Sequence, residues 1–225
     1  RNDTYQLNED KLEIAKAEIK GMLEKNLNTL HIIASQPDIR NFDLDKAKTI
    51  LEEVTKVNSD LIIALADVNG QQVVKSNADA LVNVSDRDFF KKIMSGAGEY
   101  VSDIIVAKDT GKLIVVISAP VLDANNNVIG LIMASTELTM VSEFVTELSE
   151  NGSNVYVLSR QGTVLAHPNS EYVMNQDDYS SLDFVQAGLT GASETLRTKN
   201  INGEDVIVSY SLHELSGWLI VVEAP

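Results

Sequence analysis

The stretch LIIALADVNGQQVVKS (residues 61–76) decides the fold, because the helical spacing before it gives way to an apolar β-rich run, an Asn-Gly turn and a second run. Asn-Gly between two such runs is a strong short-range hairpin signal, since a tight turn needs residues that tolerate positive φ. The pattern predicts strands at about Leu61 to Ala66 and Gln72 to Ser76, joined by Asp67-Val68-Asn69-Gly70. Beyond it a short helix is expected from about Asp88 to Met94, ended by Ser95-Gly96. Three more strands then read from Tyr100 to Ala107, Leu113 to Val121 and Val128 to Ser135, with turns at Asp109-Thr110-Gly111 and Asp123 to Asn127. Hairpin, helix and three-strand meander make a PAS-like α+β unit with an antiparallel sheet.

The same order returns downstream. After a helix at about Thr139 to Leu148, Asn154 to Leu158, Gln161-Gly162 and Thr163 to Ala166 repeat the hairpin. Asp183-Phe184 and Gly191-Ala192 repeat Asp88-Phe89 and Gly96-Ala97 at the same separation. Strands at about Glu194 to Thr198, Asp205 to Ser211 and Trp218 to Glu223 complete a second module, with Gly217-Trp218 standing for Gly130-Leu131.

Upstream, Leu12, Ala15, Ile19, Met22, Leu23, Leu27, Leu30, Ile33 and Ala34 recur at three- and four-residue steps, which predicts one long amphipathic helix from about Thr4 to Ser35. It should end before Gln36-Pro37, since a residue preceding proline is driven out of the helical region. A helix of roughly thirty residues exceeds the usual globular length and is expected to lie along both modules. Asp43 is the expected cap of a second helix, about Leu44 to Val57, with Ala47, Ile50, Leu51 and Val54 on one face. The organisation expected is therefore a long N-terminal helix over residues 1–37, one PAS-like module over 38–138 and another over 139–225.

Composition narrows the function. The 225 residues carry 44% hydrophobic and 23% charged side chains, which suits a folded domain and excludes a disordered chain. A net charge of −15 argues against a nucleic-acid partner, because phosphate binding needs an excess of Lys and Arg. The absence of cysteine removes disulfides, thiolate nucleophiles and thiolate metal sites. No stretch reaches the roughly 20 apolar residues of a membrane-spanning helix and no signal peptide opens the chain. The sequence starts at Arg1 within a helical pattern and stops at Pro225 after an apolar strand, as expected for a piece of a longer protein.

Catalytic and cofactor motifs are missing. His31, His167 and His213 are widely separated and read as surface or partly buried histidines rather than metal ligands, and Asp177-Asp178 reads as solvated charge. No enzyme activity, metal or cofactor is expected. The cluster that stands out is Ser85-Asp86-Arg87-Asp88-Phe89-Phe90, which sets an arginine fork and two aromatics at the start of a short helix over the first sheet. Arginine grips a carboxylate or an imide-like edge with two parallel hydrogen bonds, and aromatics exclude water from them. A purely structural reading stands beside it: Asp88 caps the helix, Phe89 and Phe90 are core, and Arg87 pairs with Asp86 or Asp103.

Taken together, these features resemble the double Cache sensor domains of bacterial chemoreceptors and sensor kinases. The resemblance runs from the long first helix through Asp67 to Gly70, Ser85 to Phe90, Gly96 and Tyr100-Val101-Ser102-Asp103. It continues in Thr110-Gly111-Lys112, Ala119-Pro120-Val121, Gly130, Gly217-Trp218 and the final apolar strand. It implies an extracytoplasmic module, periplasmic or at the cell surface, between two membrane helices of a receptor that works as a homodimer. The membrane-distal module, 38–138, would hold a small-molecule ligand and the proximal one, 139–225, would pass on the signal. A sensor of a histidine kinase or a cyclic-dinucleotide enzyme, or a free solute-binding protein for amino acids, are the alternatives.

In the amino-acid-sensing branch that the chain resembles, an arginine followed by an aromatic pair takes the ligand carboxylate, and Arg87, Phe89 and Phe90 match it. That branch takes the ammonium with an aspartate where Ser135 stands, and its tyrosine before the arginine falls near Val82. A serine cannot neutralise a buried ammonium. The expected ligand is thus a small carboxylate or a uracil-like heterocycle, held by Arg87, Phe89 and Phe90, with Tyr100, Ser102, Ser118 and Ser135 for its remaining polar atoms. Asp103 is the nearest acid, although strand alternation would turn it from the face of Tyr100 and Ser102.

Overall fold

Leu12, Ala15, Ile19, Leu23, Leu27, Leu30 and Ile33 all lose their solvent, as their spacing requires of one helical stripe. The helix that carries them, α1 (Asn2–Ser35), is 34 residues long in the computed structural model, which describes residues 2–150 and 152–225. Arg1, where the sequence reading has the helix already under way, lies outside them. Gln36 is extended with φ −67° and ψ 135°, the conformation that Pro37 imposes on its predecessor. The chain resolves into two compact units, Leu23–Glu137 and a second made of Arg1–Met22 with Leu138–Pro225, so α1 contributes residues to both.

In the unit Leu23–Glu137, α1 is followed by α2 (Pro37–Arg40), α3 (Leu44–Val57) and the hairpin of β1 (Ile62–Asp67) and β2 (Gln72–Lys75). Then come α4 (Asp88–Met94), β3 (Tyr100–Val101), β4 (Ile105–Val106), β5 (Leu113–Leu122) and β6 (Val128–Glu137). The antiparallel sheet runs β2-β1-β6-β5-β3, with β4 also on β5. On one face lie Ile63, Leu65, Val115, Ile117, Ala119, Ile132 and Ala134, all buried, and α3 packs against β1 and β2. The other face sets Ala64, Ala66, Ile114, Val116, Leu131 and Met133 against Phe89, Phe90 and Ile93 of α4.

Close approach needs Gly130: a Cβ there would lie 2.4 Å from the Ala66 carbonyl oxygen and 2.7 Å from the ring of Phe42, itself at φ +52°. Strand β3 meets β5 only at Ile117 and Ser118 and β4 only at Leu113 and Ile114. Among the described residues no strand pairs with Ala119–Leu122 on that side; the stretch contains Pro120, and the Leu122 carbonyl accepts from Arg40 Nε at 2.9 Å.

The second unit contains α5 (Leu138–Leu148), β7 (Asn154–Leu158), β8 (Val164–Ala166), α6 (Ser170–Met174), α7 (Asp183–Leu189), β9 (Glu194–Lys199), β10 (Asp205–Leu212) and β11 (Leu219–Ala224). Its antiparallel sheet runs β8-β7-β11-β10-β9. As in the first unit, the hairpin lies at one edge with its first strand beside the last strand of the unit. Within this unit Asn8 Nδ2 of α1 donates to the Ile207 carbonyl at 3.0 Å. Fold and strand order are those of a long helix with two PAS-like antiparallel modules.

A shared knot ties each hairpin turn to the approach of the next helix. Gly70 and Gly162 have φ of +78° and +85°, and their carbonyls accept from Val84 N and Tyr179 N at 2.8 and 2.9 Å. A Cβ on either would run into the backbone of Ser85 or Ser180. The structure departs from the sequence reading between Tyr100 and Ala107, where two short strands replace one. Ser102 Oγ accepts from Val116 N at 2.7 Å and donates to the Asp103 carbonyl at 2.8 Å, and this side-chain bonding bends the chain off the ladder. Two short helices, α2 and α6, were not expected; Asn169 caps α6 by accepting from Glu171 N.

Candidate ligand-binding site

The antiparallel register lays one row of side chains across the first sheet beneath α4: Lys75, Ala64, Met133, Ser118 and Tyr100, each opposite the next. Directly opposed residues stand about 5 Å apart, so the row is a continuous floor. Ala64 keeps it low in the middle, and Met133 is the most adaptable apolar side chain available there. Ile62, Ser135 and Val116 form the next row, and Gln72, Ala66, Leu131 and Pro120 the row on the other side. Phe89 and Phe90 come down on this floor from α4, with Tyr100 packed at their edge.

Three polar groups face this apolar layer. Ser118 is fully buried and its Oγ has no hydrogen-bond partner. A buried hydroxyl without a partner is destabilising, and a site that takes a polar ligand is one place where this arises. Gln72 is buried, its Oε1 accepting from Val82 N at 3.1 Å and its Nε2 donating to Met133 Sδ at 3.5 Å. Lys75 lies with only 4% of its side chain exposed, and its Nζ donates to Asp109 Oδ2 at 2.7 Å and to the Ala80 carbonyl at 2.8 Å. Burial pushes the Asp109 carboxyl up, but the hydrogen bond and charge of Lys75 outweigh it and hold the group below the usual carboxylate range.

Arg87 is the N-cap of α4, half-buried, with φ −83° and ψ 142°. Its Nη2 donates to the Val106 carbonyl at 2.6 Å, which ties the start of α4 to β4. Of the acids offered by the sequence reading, Asp86 forms its ion pair with Lys108, whose Nζ also holds the Asn83 carbonyl. Asp88 is not the cap. It sits in the first turn, where its charge suits the helix dipole.

The residues marked out by sequence are thus divided. Phe89, Phe90, Tyr100 and Ser118 come together at the floor, Arg87 reaches instead to the Val106 carbonyl, and Ser135 lies one row away with Oγ 3.5 Å from the Ile62 carbonyl. Ser102 is buried with its hydroxyl spent on the backbone. The chain leaves β3 after Val101, so alternation along a strand does not fix the direction of Asp103. Gln72, Lys75 and Asp109 were missed. A β-bulge between Leu65 and Ala66 puts Gln72 opposite Ala66 and Lys75 opposite Ala64, on one face, where strict alternation would separate them.

A family model described as Cache domain matches residues 1–225. Among solved structures, the ligand-binding domain of the Pseudomonas aeruginosa chemoreceptor PctB in complex with L-Arg is 18% identical, with a TM-score of 0.79 over 100% of this chain and 96% of that one. The ligand-binding domain of Campylobacter jejuni Tlp3 with L-valine is 13% identical, with a TM-score of 0.77 over 99% and 92%. The extracellular domain of the putative histidine kinase mmHK1S-Z3 is 17% identical, with a TM-score of 0.78 over 100% and 93%. A methyl-accepting chemotaxis protein of Pseudomonas syringae, PscA, is 29% identical over 89 residues, which are 39% of this chain and 14% of that protein.

Proposed function

Because the chain belongs to the Cache domain family, we propose that it is the extracytoplasmic sensor domain of a membrane-anchored chemoreceptor and binds a small carboxylate or a uracil-like ring in the unit Leu23–Glu137. The unpartnered Ser118 hydroxyl beneath Phe89 and Phe90 carries this reading. It needs a polar ligand atom, and the surrounding rings supply the dry walls that strengthen a hydrogen bond. Arg87 exchanges the Val106 carbonyl for a ligand oxygen, and a carboxylate there replaces a neutral acceptor with a charged one.

Charge decides the ligand class. Lys75 and Arg87 supply positive charge beside this layer, and Asp109, the acid next to Lys75, is already paired with it. PctB and Tlp3 are solved with amino acids, whose ammonium needs an anion; here Ser135 offers only a hydroxyl. In this reading the unit Leu23–Glu137 is membrane-distal, the other unit is proximal, and the full-length receptor is a homodimer.

Calorimetric titration with L-lactate, L-alanine and uracil tests the reading. Saturable binding of lactate or uracil, lost in Arg87→Ala, is expected; tight binding of alanine alone, or binding untouched by Arg87→Ala, overturns it.

A further inference from the structure

The two sheets correspond residue by residue. Ala64 opposes Met133 and Ile62 opposes Ser135 in one; Tyr156 opposes Val221 and Asn154 opposes Glu223 in the other. Glu223 therefore occupies the position of Ser135, one residue beyond the Val222 that the sequence match of Gly217-Trp218 to Gly130-Leu131 puts there. Counting onward from the Gly70–Ser85 and Gly162–Ser180 knots, Arg87 corresponds to Leu182, and both are extended N-caps without a side-chain cap bond. At these two positions the second unit has a leucine in place of the arginine and a carboxylate in place of the hydroxyl.

Beside that carboxylate four rings form a chain of contacts that closes on itself. Tyr156 stacks on His167 at 5.5 Å between centroids, His167 meets Tyr172 edge-on at 4.6 Å, Tyr172 meets Tyr179 at 6.5 Å, and Tyr179 meets Tyr156 at 5.7 Å. With neighbouring centroids 4.6 to 6.5 Å apart, the middle of the group is within the roughly 6 Å range of a cation–π contact. Glu223 accepts from Tyr156 Oη at 3.1 Å and from Asn200 Nδ2 at 3.0 Å, both neutral donors, and the ion pairs of the described residues give it no cation. Tyr156, Tyr179 and His167 are buried, while Tyr172 and Glu223 are half-exposed and form the reachable wall.

We propose that this unit binds a small organic ammonium ion, methylated or primary, against the faces of Tyr156, Tyr172 and Tyr179, with Glu223 as its counter-charge. Burial draws the His167 ring down to about 4, so at pH 7 it is neutral and adds no repelling charge. Burial first, then Tyr172, Glu223 and Asp177, pushes the Tyr179 hydroxyl up, as expected where negative potential converges. The site shares no residue with the one beneath α4 and takes a cation where that one takes an anion or a neutral ring, so the two stand or fall separately.

Calorimetry of the 225-residue chain with tetramethylammonium and methylammonium chlorides, against sodium chloride, tests it. One of the two ions is expected to bind saturably, at least tenfold more weakly in Glu223→Gln and in Tyr172→Leu, and unchanged in Arg87→Ala. Should Glu223→Gln fail to fold, Tyr172→Leu, altered at a half-exposed ring, decides. No saturable heat with either ion, or equal affinity in the folded variants, overturns the proposal.

Discussion

Lys75 on β2 and Asp109 in the turn between β4 and β5 form an ion pair of 2.7 Å that is almost wholly removed from solvent. Taking away one partner leaves the other as an uncompensated buried charge, which destabilises by about 3–5 kcal/mol. Lys75→Met is therefore expected to lower the urea midpoint sharply, and Lys75→Met with Asp109→Asn to recover part of the loss. Equal midpoints for wild type and Lys75→Met would show the pair to be screened by water.

The Asp109 carboxyl is lowered in the fold, so the proton-linked stability it contributes is complete above the ordinary Asp value of about 4 and lost as pH falls through the folded value. Denaturant midpoints followed from pH 6 to pH 3 should drop less steeply at the acid end in Asp109→Asn than in wild type.

His167 titrates with the opposite charge but the same sign of linkage. Its folded value of about 4 lies below the ordinary 6.5, so the unfolded chain binds the extra proton between them. Stability is complete above about pH 6.5 and declines toward pH 4, by roughly 2–3 kcal/mol. His167→Phe is expected to flatten this slope; an unchanged slope assigns it to other groups.

Ser118→Ala removes a buried hydroxyl that has no partner. The unliganded domain should gain up to about 1 kcal/mol in stability, read from thermal melts. The same variant should bind lactate or uracil several-fold more weakly. A loss of stability without ligand would mean that the hydroxyl is satisfied in solution.

Gly130→Ala must push apart the Ala66 carbonyl and the Phe42 ring, which a Cβ would meet at 2.4 and 2.7 Å. Backbone on one side cannot yield cheaply, so a loss of about 2–3 kcal/mol is expected in denaturant titration.

The long helix and the first hairpin could be read directly, because the stripe from Leu12 to Ile33 and the change of period at Leu61 are local signals. The repeat was legible for the same reason: Gly70 and Gly162 each punctuate a turn. The site was legible only in part. Phe89 and Phe90 announce a buried helix face, but Lys75 joins them through a bulge, which leaves no mark in the alternation of Gln72 to Ser76. The partner of Arg87 was not legible, since the Val106 carbonyl is backbone and every residue has one. His167 read as unremarkable because Tyr156, Tyr172 and Tyr179 meet it only after β7, β8 and α6 have folded together.

The bare side of β5 from Ala119 to Leu122 bears on how the molecule behaves in a crowd of its own kind. An unpaired strand margin is a template on which a second chain can add itself, and repeated addition ends in fibres. Pro120 presents no N–H there, and the Leu122 carbonyl is already engaged by Arg40, so an incoming strand meets a missing donor and a spent acceptor. Replacing both, as in Pro120→Val with Arg40→Ala, would turn a self-limiting border into a growing one.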